Sequence, residues 1–177
     1  IGATRKLAPV LPILSRANLQ VPFTTCEQMR RYKADRNLSL WQLAIAYESA
    51  RGNLSEQEVL TRMVEIVRIL RRSVKQGLAG TDYEDRILGY QSGRFARAMR
   101  DKALLDAGCL NRIILYVTAL MEVKSSLGVI VAAPTAGACG ALPGACLAAG
   151  EALGQSDEQV AQALLAGGLI GLFIAPA

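Results

Sequence analysis

The sequence contains no histidine and few aromatic residues, and both shortages narrow what the protein can be. Without an imidazole there is no Ser-His-Asp triad, no Cys-His nucleophile, no HExxH zinc site and no histidine-based pH switch. Aromatic residues make up only 5% of the 177 positions, whereas 51% of all residues are hydrophobic. The chain is therefore long enough for one domain, with a core built mainly from Ala, Leu, Ile and Val.

Positive charge is absent from the C-terminal part of the sequence. All 20 Lys and Arg residues lie in residues 1–124, whereas residues 125–177 contain three acidic residues and no basic one. A basic N-terminal part can indicate nucleic-acid binding. Here the basic residues lie beside acidic ones along amphipathic patterns, and no aromatic-basic RNA motif accompanies them. We therefore expect solvated helix faces and no nucleic-acid partner.

The four cysteines lack the spacing of a metal site. They form no CxxC motif, and no signal-peptide pattern precedes them, which favours free thiols in a reducing cytoplasm. Cys139 and Cys146 are seven positions apart, which on a helix is roughly 10.5 Å and too far for both to bind one zinc ion. We expect both to be small buried apolar side chains.

Signals for helix starts recur along the chain, whereas the alternation typical of strands does not occur. Capping boxes begin at Ser39, Ser55 and Ser156. The predicted helices run from Thr24 or Thr25 through Tyr32, from Ser39 to Gly52, from Ser55 to Gly77, from Ser92 through Leu104 to a stop at Gly108, over residues 110–122, and from Ser156 through Leu169. We predict an all-α fold, a single helical domain with tightly packed Ala/Gly-rich helices and a Pro/Gly-rich active-site turn.

Two helical faces can be assigned from periodicity. In the helix that begins at Ser55, the charged positions are predicted to face solvent: Arg62, Glu65, Arg68, Arg72 and Lys75. In the helix over residues 110–122, the apolar positions are predicted to face inward: Ile113, Ile114, Val117 and Leu120.

Residues 125–150 form an uncharged run of 26 residues, long enough to span a membrane. Glycines 140 and 144, and 167 and 171, also match the GxxxG pattern of membrane helices. The run nevertheless contains two prolines and five glycines, is richer in Ala than in Leu or Ile, and has neither an aromatic belt nor a basic residue after it. A soluble core of closely packed helices is therefore favoured, and we expect no membrane association.

The stretch with the most chemical information is AAPTAGACGALPG, residues 132–144. A Pro- and Gly-rich turn before a helix directs backbone N–H groups one way and can hold a carboxylate or phosphate. It matches neither the P-loop nor the dinucleotide fingerprint. On the residues alone, an ordinary tight turn between buried helices is favoured over an anion site.

The longer stretch MEVKSSLGVIVAAPTAG, residues 121–137, and its continuation to Gly144 strongly resemble the iron–sulfur-dependent L-serine dehydratases, specifically their alpha chain or catalytic domain. LAIAYE at residues 43–48, LSEQEV at 54–59, VKQGL at 74–78 and residues 151–174 extend the resemblance over about residues 38–177. We therefore interpret residues 1–37 as an irregular leader with a short helix. We expect residues 38–177 to form part of the helical catalytic domain, without its C-terminal cluster-binding part.

The resemblance implies a lyase that converts L-serine to pyruvate and ammonia with a [4Fe-4S] cluster as Lewis acid. Neither Cys139 nor Cys146 matches a cluster ligand, so the ligand cysteines are expected beyond Ala177, and this part alone is expected to be inactive. The resemblance also implies a cytoplasmic location and a role in amino-acid catabolism and gluconeogenesis. It further implies a beta chain or fused beta domain as partner, and a homo-oligomer.

Four residues are candidates for binding L-serine: Ser126, Thr135, Ala136 and Gly137. Lys124 and Glu48 are weighed as acid–base groups, although solvent exposure of Lys124 and a helix-surface role for Glu48 are favoured. The catalytic base is not identified. The segment from Arg86 to Gly93 departs from the Ser-Gly-Leu-Thr-Gly-Gly pattern of related chains, so the exact substrate among similar amino acids stays open. An inactive or regulatory helical homologue and a small membrane-associated helical protein are the alternatives.

Overall fold

The computed structural model describes residues 20–34, 36–84, 86, 89–132 and 137–174. Within these residues the secondary structure consists of helices and contains no strand, which confirms the predicted all-α class. The helices are α1 (Cys26–Ala34), α2 (Leu40–Gly52), α3 (Glu56–Ala79), α4 (Gln91–Arg100), α5 (Cys109–Ser125), α6 (Ala138–Ala152) and α7 (Asp157–Ile174).

The three predicted capping boxes begin helices α2, α3 and α7. Gln42 Oε1 accepts the Ser39 N–H at 2.9 Å, and Gln159 Oε1 accepts the Ser156 N–H at 2.9 Å. The exchange is mutual at α3 and α7: Glu58 accepts the Ser55 N–H at 2.7 Å and Ser55 Oγ accepts the Glu58 N–H at 3.2 Å, while Ser156 Oγ accepts the Gln159 N–H at 3.3 Å. The hydrogen bonds from Ser55 lower the pKa of Glu58, because they stabilise its charged form.

Helix α4 differs from its prediction at both ends. Its N-cap is Tyr90 rather than Ser92, which lies inside the first turn. It ends at Arg100, well before Leu104 and Gly108, because Lys102 adopts a left-handed conformation with φ of 54°. The Ala103 N–H then bonds the Ala98 carbonyl at 2.9 Å, which completes a Schellman motif. The left-handed Lys102 thus ends the helix, whereas the predicted stop was Gly108.

Three further helix boundaries and one side chain also differ from the sequence analysis. Helix α3 continues past Gly77 to Ala79, and α5 is longer than residues 110–122. Pro143 lies inside α6 rather than in the turn before it. Ile114, predicted to face inward, is 39% exposed, whereas Leu120 is fully buried as expected.

Among the described residues the core has two apolar clusters, and both include residues of α3 and α7. The first joins α3, α5, α6 and α7 through the side chains of Val67, Leu70, Val74, Leu120, Leu147, Val160, Ala161 and Leu164. The second joins the segment before α1 to α2, α3 and α7 through Phe23, Leu43, Ala44, Ile45, Val59, Leu165 and Leu169. Each fully buried leucine contributes about 1.5–3 kcal/mol through removal of its surface from water.

Small residues allow the central helices to approach closely. A Cβ atom on Gly77 would lie 2.3 Å from the Ala119 carbonyl oxygen, so α3 and α5 touch through backbone. Gly144 packs in the same way on the backbone of Val117, and Gly140 lies against the side chain of Met121. The Gly140–Gly144 pattern therefore packs α6 on α5 within this core. None of the helices that the described residues form combines the length and the apolar character that a membrane crossing requires.

Of the charged α3 positions predicted to face solvent, Glu65, Arg68, Arg72 and Lys75 are exposed and Arg62 is half-buried.

Candidate active site

The segment that leaves α5 contains the first part of the motif. After Ser125 the chain turns sharply: the Gly128 N–H bonds the Val123 carbonyl at 2.8 Å, and the Leu127 N–H bonds the Lys124 carbonyl at 3.2 Å. Leu127 adopts the left-handed conformation with φ of 57° that glycine usually takes at this place. Glycine instead occupies position 128, where a Cβ atom would lie 2.6 Å from the Val123 side chain.

Ser126, one of the four candidate substrate-binding residues, lies at the C-cap of α5. Its hydroxyl donates to the Val123 carbonyl at 3.0 Å, and its N–H donates to the Glu122 carbonyl at 3.0 Å. The structure thus places this hydroxyl in local capping of the helix, at the start of the turn.

The chain after Gly128 is hydrogen-bonded to α3 through Val129. Ser73, only 3% exposed, has its hydroxyl 2.5 Å from the Val129 carbonyl and 3.1 Å from the Ile69 carbonyl of its own helix. A hydroxyl has one proton, so these two acceptors share it. This contact fixes the path of the chain as it runs from α5 towards the Pro- and Gly-rich turn.

Gly137 is the N-cap of α6, with φ of −80° and ψ of −25°. These are helical angles that any residue adopts. A Cβ atom built on it meets no described atom within 4 Å. The other two candidates, Thr135 and Ala136, lie outside the described residues. The helix that Gly137 begins directs its N-terminal N–H groups and the positive end of its dipole towards the turn.

The sequence analysis missed the most connected polar residue near this motif, Glu122. This α5 residue is only 9% exposed, and its Oε1 accepts the backbone N–H groups of Gln91 at 2.6 Å and Ser92 at 2.9 Å. These N–H groups belong to the first turn of α4, so Glu122 caps a helix other than its own. The signal that could have indicated it is a single acidic residue in the apolar run of α5 before the motif.

Ser92 completes this junction. It is fully buried, and its hydroxyl lies 3.0 Å from the Gly77 carbonyl and 3.3 Å from Glu122 Oε2. The Tyr90 hydroxyl also donates to the Leu78 carbonyl. The end of α3 is thereby joined to the start of α4.

The two acid–base candidates lie where the favoured interpretation put them. Lys124 is exposed in the last turn of α5. Glu48 is half-buried on α2 and forms an ion pair with Arg51 at 2.7 Å.

The cysteines that the structure describes do not fit an iron–sulfur cluster. Cys26 is exposed on α1, Cys109 lies 3.8 Å from the Ala148 carbonyl, and Cys139 is buried in α6. Burial raises the pKa of the Cys146 thiol, whereas a cluster ligand must be a thiolate. Among the described ranges, no three Cys, Asp or Glu residues come together as a metal site would require. Cys139 is buried as predicted, and Cys146 is half-buried.

Comparisons with known proteins agree with the motif. The chain is 22% identical over 153 residues to a probable L-serine dehydratase alpha chain of Bacillus subtilis, covering 86% of this chain and 51% of the relative. It is 29% identical over 163 residues to an L-serine dehydratase of Streptomyces coelicolor, covering 90% of this chain and 35% of the relative. An L-serine dehydratase alpha chain of Peptoniphilus asaccharolyticus is 25% identical over 119 residues, which is 66% of this chain and 40% of the relative.

The chain thus spans about half or less of the length of these curated relatives. No solved structure shows significant similarity to it. The family described as serine dehydratase alpha chain matches residues 35–177. Since this match covers most of the sequence, the chain belongs to the serine dehydratase alpha chain family.

Proposed function

We propose that the complete protein is an L-serine dehydratase, a lyase that converts L-serine to pyruvate and ammonia. The observation that carries this proposal is the family match over residues 35–177, which includes the whole motif between α5 and α6. The reaction removes the α-proton and the β-hydroxyl of L-serine as water. The resulting 2-aminoacrylate tautomerises to an imine, which water hydrolyses to pyruvate and ammonia.

The turn before α6 is our candidate for the site of the substrate carboxylate. The N-terminus of a helix presents N–H groups and a partial positive charge, which together favour an anion. Gly137 begins this helix, and no described atom lies within 4 Å of a Cβ atom built on it. We propose that Thr135, Ala136 and Gly137 line this site, with the Thr135 hydroxyl as a donor to the carboxylate. Ser126 would position the start of the turn through its capping bonds.

The described residues do not supply the ligands of the expected [4Fe-4S] cluster, so no step of the reaction is assigned to a metal on this chain. The cluster, with ligands from other segments of the complete protein, stays a prediction from the resemblance. A beta chain or fused beta domain also stays a proposal, supported by two relatives that are named alpha chains. The homo-oligomer and the cytoplasmic location rest on the resemblance alone.

The test is an activity measurement on the complete protein, purified without oxygen and supplied with iron. Release of pyruvate from L-serine is the expected result. An intact preparation with the visible absorbance of an iron–sulfur cluster but no activity on L-serine would contradict the proposal and favour an inactive or regulatory homologue.

The proposed carboxylate site is tested with Thr135→Ala. Loss of one hydrogen bond to a charged group is worth about 1.5–3 kcal/mol, so we expect kcat/KM to fall about 10- to 100-fold. Thr118→Ala is the matched control, because the Thr118 hydroxyl donates to the Ile114 carbonyl of its own helix at 2.7 Å. Unchanged kinetics in folded Thr135→Ala protein would remove Thr135 from the site.

A further inference from the structure

Helix α4 contributes little to the apolar core. Among the described residues, no side chain of α4 belongs to either core cluster. Its two largest apolar side chains, Phe95 and Met99, are half-buried. Of the described residues between Gly80 and Gly108, Ser92 alone is buried, and it is polar. Burial of apolar surface, which stabilises the packing of the other long helices, therefore does little to hold α4 in place.

Hydrogen bonds to α3 and α5 hold the N-terminal end of α4. Glu122 Oε1 of α5 accepts the N–H groups of Gln91 and Ser92 at 2.6 and 2.9 Å. The Ser92 hydroxyl lies 3.0 Å from the Gly77 carbonyl, and the Tyr90 hydroxyl donates to a carbonyl in the last turn of α3. Bonds to an ionised acceptor are stronger than neutral ones, so the Glu122 carboxylate is the main attachment at this end.

The C-terminal end of α4 is held by local bonds. The Ala103 N–H bonds the Ala98 carbonyl at 2.9 Å, within the turn that ends the helix. Residues 101–108 are exposed except for Leu104, which is half-buried. The Asn111 side chain donates to the Leu105 carbonyl at 2.8 Å, six positions earlier in the chain. The attachment of α4 is therefore concentrated at its first turn.

Glycines with positive φ lie on both sides of α4. Gly80 follows the last residue of α3 with φ of 122°, and Gly108 precedes α5 with φ of 55°. A Cβ atom built on either one meets no described atom within 4 Å. Glycine allows the backbone to change direction at low cost, and rigid-body motions pivot on a few such residues at the ends of helices. Both glycines can therefore act as hinges.

We infer that α4 opens as a unit while both core clusters stay packed, and that the Glu122 carboxylate is the latch that keeps it closed. Elements with few buried apolar contacts open at a lower free energy than the core does. In the closed state Glu122 is only 9% exposed, and opening exposes its carboxylate to water. Helix α4 thus controls solvent access to this end of α5. The opening does not depend on the reaction proposed above.

Amide hydrogen exchange in the complete protein tests the opening. In the wild type, amides of residues 95–100 should exchange at least about 100-fold faster than those of residues 119–123, which lie in the buried part of α5. Urea should accelerate exchange in α4 less steeply, because opening one helix exposes less surface than global unfolding. Equal rates, or an equal urea dependence, would show that α4 opens only with the whole molecule and would overturn the inference.

The latch is tested with Glu122→Ala. Loss of the charged acceptor should speed exchange in residues 95–100 about 10- to 100-fold. An unchanged rate would remove Glu122 as the latch. If Glu122→Ala does not fold, Ser92→Ala replaces it, since it keeps both N–H bonds and removes only the hydroxyl that reaches Gly77. Exchange should then speed up about 3- to 10-fold, and an unchanged rate overturns the inference.

Ile45→Val is the matched control, because it weakens the core away from α4. Ile45 is 4% exposed and packs in the cluster that α2 forms with α3 and α7. Loss of one methylene group should speed exchange in residues 119–123 about 2- to 10-fold, since their amides exchange through global unfolding. Exchange in residues 95–100 should stay unchanged. An equal acceleration in both segments would show that α4 and the core open together, contrary to the inference.

Discussion

Two carboxylates, Glu122 and Glu151, connect helices in this protein in different ways. Glu122 is 9% exposed and accepts backbone N–H groups at the start of α4. Glu151 has a side chain that is 37% exposed, and its partners are the Tyr116 hydroxyl at 2.5 Å and the guanidinium groups of Arg71 and Arg112 at 3.2 and 3.7 Å. Arg71 continues this second network to Asp157 at 2.8 Å.

Glu122 and Glu151 differ in the kind of bond they form because their surroundings differ. At the half-exposed end of the molecule, charges attract one another over several geometries, and water and salt weaken the attraction. Next to the motif, a buried carboxylate is held by directed bonds and by helices in backbone contact. Directed bonds give a defined geometry, and a defined geometry is what a substrate site requires.

The largest effect is expected where the Glu122 region is most closely packed. In Gly77→Ala the new methyl group would lie 2.3 Å from the Ala119 carbonyl oxygen, so α3 and α5 must separate. We expect a loss of about 3 kcal/mol in the free energy of unfolding, at the upper end for overpacking, because backbone cannot rotate away. Chemical denaturation measures it.

The control for Gly77→Ala is Gly168→Ala in α7, where a Cβ atom meets no described atom within 4 Å. That substitution should stabilise the protein by about 0.5–1 kcal/mol, because alanine is the better helix former. Equal effects at the two glycines would show that α3 and α5 are not in the close contact described.

The two carboxylates should differ in how their removal responds to salt. Glu122→Ala leaves the N–H groups of Gln91 and of the buried Ser92 without their acceptor, which should cost about 2 kcal/mol at any salt concentration. Glu151→Ala removes half-exposed ion pairs, which should cost about 1 kcal/mol or less and shrink in high salt. Urea unfolding in low and high NaCl measures both. A Glu122→Ala penalty that falls with salt as much as the Glu151→Ala penalty would remove the distinction.

The smallest effect concerns Tyr116, a partner of Glu151. Burial, followed by the hydrogen bond to Glu151, raises the pKa of Tyr116 to about 12 from 10.0. The folded protein therefore holds this proton more tightly than the unfolded chain. Its contribution to stability is present below pH 10 and is lost as the pH rises through about 12.

Tyr116→Phe isolates that contribution from other groups that titrate at high pH. The difference in the free energy of unfolding between wild type and Tyr116→Phe should shrink as the pH rises from 9.5 towards 12, around the pKa values of 10.0 and about 12. A difference that stays constant over this range would contradict the raised pKa.

The helix starts could be predicted because their signals are local. Each capping box contains its donor and its acceptor within four residues, so Ser39, Ser55 and Ser156 were placed correctly. Ser92 looked like the same signal but lies inside the first turn, since its acceptor is Gly77, 15 positions earlier. Glu122 caps α4 from 30 positions away, and no local pattern contains such a pairing.

The candidate site was predicted only in part, for a similar reason. The motif around Gly128 and Gly137 was found from the sequence, but the role of its neighbours depends on packing. Ser126 turned out to cap α5, and Ser73, which no motif contains, holds Val129. The predicted end of α4 was wrong because Lys102 adopts the left-handed conformation that is usually assigned to glycine.

The shared use of α7 by both core clusters has a consequence for synthesis of the chain. The apolar side chains around Leu43 are covered by Leu169 of α7, which is 126 positions later in the sequence (169 − 43). At about 5–20 residues per second, a ribosome needs roughly 6–25 s to make the intervening chain. During that interval α2 has no α7 to pack against, so this surface depends on chaperones or on the emerging α3 for protection from aggregation.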